Sequence, residues 1–290
     1  MIKYNPKFWF RNIFAFHKSD TIVVIWKELL YIGTFTTALA YFLLKYVNEE
    51  NLKTLEKLTD VFALVGFVLS LLLVFRTNTA YDRWWEGRKK WGELVNNSRN
   101  LAIKVGSMTV NKEDEMFFSR MIPNYAFAMK EHLREGVINE ELELTEAEQK
   151  EMANLKHKTS FIAKKMYVRL HEMKKKGELT QEEFLSLDIN LKTFSDITGA
   201  CERIKNTPIP YSYSSFLKKF IFVFVVTLPL SFVPSFGYYS AFVAVFVFYV
   251  LVSMEILAEE IEDPFGKDEN DLPTDSLSQK IRDNVKEILA

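Results

Sequence analysis

The sequence predicts an all-α membrane protein with four transmembrane helices per subunit and a helical cytoplasmic region. Apolar residues and charges are segregated along the 290-residue chain, and residues 220–254 contain no Asp, Glu, Lys or Arg. A run of about 18 apolar residues is already long enough to suggest a membrane span. The composition excludes a simple soluble enzyme and a disordered chain, and the single Cys201 excludes a disulfide scaffold. The net charge of −1 gives no indication of a nucleic-acid partner.

Residues 1–20 are predicted to form an N-terminal interfacial arm. This segment mixes aromatic residues with Lys7 and Arg11. Such a composition favours the lipid headgroup region, although packing against the cytoplasmic helices would explain it equally well. The arm lacks the apolar core of a signal peptide, so we expect the mature chain to start at Met1.

Residues 21–80 are predicted to form the first two transmembrane helices. The first apolar block, residues 21–44, is interrupted by Lys27 and Glu28, and the second block, residues 61–75, is uncharged. Several of the four predicted spans are shorter than the roughly 20 residues that a lone spanning helix needs, which suits helices packed in an oligomer.

Residues 220–257 are predicted to form transmembrane helices three and four. Pro229, Pro234 and Gly237 lie near the middle of this long apolar block. Because proline ends or kinks a helix and glycine permits a turn, we expect two short helices joined by a hairpin.

Lys and Arg residues flank the predicted spans on one side, in the N-terminal arm, after span two and before span three. By the positive-inside rule, both termini and the region 81–219 should be cytoplasmic. An even number of spans agrees with this orientation, and a bacterial inner membrane is the expected location.

The region 81–219 is predicted to be helical throughout. One seam in it, a line of residues alternately three and four positions apart, has the spacing of packed helices. Its residues are Phe184, Leu187, Leu191, Phe194, Thr198 and Cys201. Residues 258–290 are predicted to form an acidic loop and then an amphipathic helix, with Asp275 as its N-cap. The apolar face of that helix comprises Leu277, Ile281, Val285 and Ile288.

No catalytic constellation is visible in the sequence. His17, His132, His157 and His171 are scattered, and there is no metalloprotease, Cys-x-x-Cys or phosphate-loop motif. We therefore expect ordinary surface or interface histidines, no required cofactor and no enzyme. In a chain with several spans, this favours transport.

Span two is the best candidate for lining a transport path. Phe67, Leu71 and Phe75 are spaced i, i+4, i+8 and so share one helix face. The polar residues 76–79 follow at the predicted cytoplasmic mouth. A ring of such helices would form an apolar constriction that gates by dewetting. However, the same spacing occurs by default in any helix that is apolar all round.

Four segments resemble the bestrophin family, particularly its short prokaryotic members. Residues 75–92, FRTNTAYDRWWEGRKKWG, are similar to the family signature. Residues 261–266, IEDPFG, resemble its motif after the membrane, and residues 19–33 and 199–211 also agree. The resemblance runs from about residue 5 to about residue 275, in the family's order and spacing.

The resemblance implies a funnel-shaped homopentameric ion channel in a lipid membrane, with one central pore. It places an apolar pore neck at Phe67, Leu71 and Phe75. It also implies a second, cytoplasmic constriction, for which Leu185 is the candidate because it lies off the buried seam. A subunit contact is the other explanation for Leu185.

Animal relatives bind calcium in a clasp that follows the Pro-Phe-Gly motif, and here Asp268 and Asp271 match its acidic residues. Lys267 and Asn270 reduce the negative charge of this stretch, so a clasp would be weak or absent. A solvated acidic loop is the other explanation.

Short prokaryotic members tend to pass monovalent cations, so the resemblance favours cations. A chloride channel of the same architecture and a membrane-anchored scaffold or regulator that conducts nothing remain the alternatives. A secondary transporter or a membrane enzyme ranks below these, since no internal repeat and no reactive site is visible.

Overall fold

The computed structural model describes residues 21–109, 111–136 and 140–289. The predicted interfacial arm, residues 1–20, lies outside this part of the chain. Every regular element within it is helical. The α-helices are α1 (Thr21–Tyr46), α2 (Glu49–Glu56), α3 (Leu58–Met108), α4 (Lys112–Leu133), α5 (Glu146–Met152), α6 (Lys158–Lys175), α7 (Gln181–Asn206), α8 (Tyr211–Thr227), α9 (Pro229–Phe236), α10 (Ser240–Glu262) and α11 (Thr274–Ile288).

Three stretches of the described chain are long and apolar enough to cross a membrane: Thr21–Tyr46, Glu49–Met108 and Tyr211–Glu262. The last stretch is interrupted by α9 and by a single 3₁₀ turn, Gly237–Tyr239. Gly237 has φ of 56°, a left-handed conformation that glycine adopts without a steric penalty. The break lies where the prolines and glycine predicted it, although the connection is a short helix instead of a simple hairpin.

Helix α3 continues without a break through residue 80, where the sequence placed the boundary of the membrane part. Its 51 residues give a length of about 75 Å, more than twice the hydrocarbon thickness of a bilayer. One continuous helix therefore joins the apolar part of the molecule to the part packed around Trp91.

The described residues form two main hydrophobic clusters. One joins α1, α3, α8 and α10 and includes Ile25, Leu69 and Phe224. The other joins α3, α4, α6, α7 and α11 around Trp91. All six residues of the predicted seam on α7 are buried, which confirms that part of the sequence analysis.

The predicted amphipathic helix is α11, with Ile281 and Val285 buried. The prediction that Asp275 caps this helix is wrong, because Pro273 occupies the cap position and α11 starts at Thr274. The Asp275 carboxylate instead accepts hydrogen bonds from Arg134, at 2.9 and 2.7 Å, and from Lys130, at 2.9 Å. Two cations, Lys130 on α4 and Arg134 directly after it, satisfy the carboxylate better than a backbone N–H would.

Candidate functional site

The three predicted neck residues are exposed on one face of α3. The exposed fractions are 63% for Phe67, 42% for Leu71 and 61% for Phe75. The opposite face carries Leu69 and Leu73, which are buried against the chain's own core. The fold therefore leaves the predicted neck face uncovered within one chain.

The same helical line continues into polar residues at both ends. Asp60 precedes Phe67 by seven residues, and Asn78 and Asp82 follow Phe75; all three are exposed. Seven residues are close to two helical turns, so Asp60 and Asp82 lie on the neck face, each about 10 Å from its nearer end.

Arg76, the residue after Phe75, points away from this face. The prediction that it contributes to a polar mouth is wrong, because its side chain is only 1% exposed. One guanidinium nitrogen lies 2.6 Å from a carboxylate oxygen of Glu262, and Nε lies 3.6 Å from Glu255. Arg76 therefore attaches α3 to α10 directly after the last residue of the predicted neck.

The Arg-Trp dipeptide of the signature segment attaches α3 to three other segments. The Arg83 guanidinium donates to the backbone oxygen of Glu262, at 3.1 Å, and to those of Ile204 and Thr207. These oxygens lie at the C-terminal ends of α10 and α7, where carbonyls lack helical partners and the helix dipole favours a cation. Trp84 donates from Nε1 to the backbone oxygen of Asn270 at 3.1 Å.

The signature segment, residues 75–92, also packs directly on the second motif, residues 261–266. A Cβ atom at Gly87 would lie 3.1 Å from Cζ of Phe265 and 3.2 Å from Cγ of Pro264. Phe265 is fully buried, so this close approach requires glycine on α3. The motif residues thus form a joint that fixes residues 264–265 to α3, the helix that carries the predicted neck.

The candidate second constriction, Leu185, is exposed on α7, as its position off the seam predicts. Ile189, one turn further along, is more exposed at 63%. The sequence analysis did not single out Ile189, although its i+4 relation to Leu185 was a usable signal. The two residues form one apolar strip on α7.

The two acidic residues of the candidate calcium clasp differ in their surroundings. Asp268 is exposed, whereas Asp271 is buried and one of its carboxylate oxygens accepts the N–H of Asp268 at 2.7 Å. Its other oxygen has no hydrogen-bond partner. Burial raises the pKa of Asp271 to about 6. A clasp here would use that free oxygen and would need backbone oxygens to complete the shell of 6–8 ligands that calcium prefers.

Comparison with known proteins places this geometry in a family. The model of the family described as "Bacterial/Fungal Bestrophin protein" matches residues 1–287. The voltage-dependent anion channel-forming protein YneE of Escherichia coli K12 is 32% identical, over 97% of this chain and 91% of that protein. A voltage-dependent anion channel-forming protein of Nostoc is 35% identical, over 77% of this chain and 75% of its own length.

The fold agrees with a solved structure of the same family. A mutant of a bacterial bestrophin homologue from Klebsiella pneumoniae superposes with a TM-score of 0.83 at 25% identity. The match covers 92% of this chain and 99% of the other. The apolar helices and the channel-forming relatives together identify a membrane protein. The chain belongs to the bacterial and fungal bestrophin family.

Proposed function

We propose that this protein is an ion channel formed by five copies of the chain around one central pore. Its relatives are named as channel-forming proteins, and its family includes bestrophin structures. The observation that carries the proposal is the uncovered face of α3. Phe67, Leu71 and Phe75 form the pore neck in this proposal.

The pattern along α3 supports a pore more than a lipid contact. The face is apolar over the neck and carries Asp60 before it and Asn78 and Asp82 after it. An apolar constriction with wet, polar mouths on one line is the arrangement that gates by dewetting. The ion pairs of Arg76 and the contacts of Arg83 hold the part of α3 that directly follows Phe75 in place.

The test is ion flux through purified protein in liposomes. Changing Phe67, Leu71 and Phe75 together to alanine widens and wets the neck, so conductance should rise. Phe222→Ala with Phe246→Ala is the matched control, because it removes exposed phenyl rings from α8 and α10. An unchanged conductance in the triple variant would exclude the neck assignment.

Accessibility labelling tests the same assignment without relying on flux. Cysteines placed singly at Phe67, Leu71 and Phe75 should react with a water-soluble thiol reagent that enters the pore. The natural Cys201 is buried, and burial raises its pKa to about 12, so it should contribute little background. Labelling only by lipid-soluble reagents would place these residues against acyl chains.

For the sign of the conducted ion, we propose monovalent cations. Asp60 and Asp82 are the acidic residues that flank the neck on its own face, and five copies of each would attract cations. An anion channel is the second candidate, and the names of the relatives favour it. Reversal potential in asymmetric salt separates the two, and Asp60→Asn with Asp82→Asn should reduce a cation preference.

The proposed layout follows from the pore. Residues 21–80 and 220–257 lie in the cell membrane, with both termini and residues 81–219 on the cytoplasmic side. Leu185 and Ile189 then face the pore or a neighbouring subunit.

A calcium clasp at Asp268 and Asp271 stays a prediction, which calcium titration of Asp271→Asn against the unchanged protein would test.

A further inference from the structure

Three metal-ligating side chains from separate helical segments meet in the helical region beyond the spans. His132 lies in the last turn of α4, His157 directly precedes α6, and Glu202 lies on α7. His132 Nε2 is 2.6 Å from Glu202 Oε1, and the two imidazole centroids are 5.5 Å apart. When one ligand atom is taken from each of the three residues, these three atoms all lie within 4.8 Å of one another.

We propose that His132, His157 and Glu202 bind a transition-metal dication of the zinc class. Two imidazoles and one carboxylate, with water in the fourth position, form a common open zinc ligand set. Calcium and magnesium prefer ligand shells made of oxygen, so the two imidazoles select against them. This site does not depend on conduction by the pore.

The observed distances suit the metal after a small adjustment. Ligands about 2.0–2.2 Å from a tetrahedral zinc ion lie about 3.3–3.6 Å from each other. The Nε2 of His132 and the carboxylate of Glu202 would therefore separate by about 1 Å. His157 is exposed and makes no side-chain capping bond, so its ring can turn toward the other two at little cost.

A cavity beside two of the three ligands has balanced formal charges, with Glu131, Glu135 and Glu202 against Lys156, Lys158 and Lys205. His132 and Glu202 line a cavity of about 300 Å³, and Glu131 lines the same cavity. Glu131 is 5% exposed and has one carboxylate oxygen without a hydrogen-bond partner. Lys205, which also lines it, is already neutralised by Glu135 at 3.3 Å. A buried and incompletely satisfied carboxylate beside the ligands lowers the cost of bringing in a dication.

The metal would connect one residue outside the helices to two residues on helices. His157 lies in the connection between α5 and α6, outside the helices, whereas His132 and Glu202 are held on α4 and α7. Binding therefore ties this connection to α7, the helix that also carries Leu185 and Ile189. A metal that binds only the folded chain also stabilises it by mass action.

The experiment titrates zinc chloride into the purified full-length protein after removal of metals with a chelator. Calorimetry should give one zinc ion per chain, and zinc should raise the unfolding temperature. His157→Ala should lower the affinity by more than the roughly 10–100-fold that loss of an outer-shell partner costs. His171→Ala is the matched control, since His171 is an exposed histidine on α6 outside the group.

Glu202→Gln provides a second variant that retains the shape of the side chain and removes its charge. It should also weaken zinc binding, while calcium chloride at the same concentration should not compete with zinc for this site in any variant. Two outcomes would overturn the proposal: no zinc binding by the unchanged protein, or equal affinity in the unchanged protein and in His157→Ala. Because His157 is exposed, the second outcome cannot be attributed to misfolding.

Discussion

At the scale of single residues, the charges beside the predicted neck are structural. Arg76, Glu255 and Glu262 form a buried cluster between α3 and α10. Buried ion pairs add little net stability, but removing one partner leaves an uncompensated charge in a site of low polarity. The cluster is therefore sensitive to any change that removes only one sign of charge.

Arg76→Met should destabilise the protein by about 3–5 kcal/mol, because both glutamates lose their cation. Arg203→Ala is the control. It breaks the exposed pair between Arg203 and Glu86, whose atoms are 2.9 Å apart, and should cost about 1 kcal/mol or less. Thermal unfolding in detergent measures both, and equal shifts would contradict the buried role of Arg76.

Gly87→Ala should destabilise the protein by about 1–3 kcal/mol, although alanine favours a helix. The new methyl group would press on Phe265 and Pro264, which are both buried and cannot yield easily. At Gly199 a Cβ meets no atom within 4 Å, so Gly199→Ala should stabilise by about 0.5–1 kcal/mol. Chemical denaturation of the two variants should give opposite signs.

At the scale of elements, α11 is fixed to the rest of the molecule at its start and along its apolar face. Ile281 and Val285 pack into the cluster around Trp91, and Asp275 pairs with Lys130 of α4 and with Arg134, which directly follows α4. Hydrogen bonds from Arg134, and then those from Lys130, hold the pKa of Asp275 well below its usual range. The start of this helix is therefore fixed by charge and the rest by apolar burial.

Asp275→Asn should lower the unfolding temperature at neutral pH and have a smaller effect in acid. A carboxyl group whose pKa is depressed by folding contributes stability above its unfolded value, near 3.9, and loses that contribution as pH falls through the folded value. The difference from the unchanged protein should therefore shrink below about pH 4. Asp283→Asn, on the exposed side of α11, is the control, and a pH-independent difference would contradict the ion-pair role.

At the scale of the whole molecule, one chain leaves large apolar side chains exposed beyond the predicted spans. Trp85, Ile103, Leu185 and Ile189 are each at least 46% exposed. They lie on α3 and α7, the helices that would surround a shared axis. Exposed apolar surface outside a membrane is typical of a subunit or ligand interface.

Native mass spectrometry in detergent should find an assembly of five chains, each of 33.9 kDa. Ile189→Asp should weaken or abolish this assembly if the strip on α7 faces a neighbouring subunit, and should alter conductance alone if it faces the pore. Val168→Asp, at an exposed position of α6, is the control. A monomeric or dimeric mass for the unchanged protein would contradict the pentamer.

The sequence predicted the helical class, the apolar spans, the break near Gly237 and the buried seam of α7. These features depend on residue type and on spacing along one helix, so they can be read without knowing what packs against them. The face that carries Phe67, Leu71 and Phe75 was also predicted from spacing, with the family motifs selecting it. Its role as a neck stays a prediction.

The sequence by itself determined where the helices run and which family the chain resembles, because local patterns and motifs carry that information. Only the tertiary structure decided where the charged side chains point. Arg76 pairs with glutamates on α10 and does not line the predicted mouth. Asp275 pairs with Lys130 on α4 and with Arg134 directly after it. His132 lies beside His157 and Glu202. Each partner is distant in sequence, and a charged group takes whichever partner the packing of the helices brings within reach.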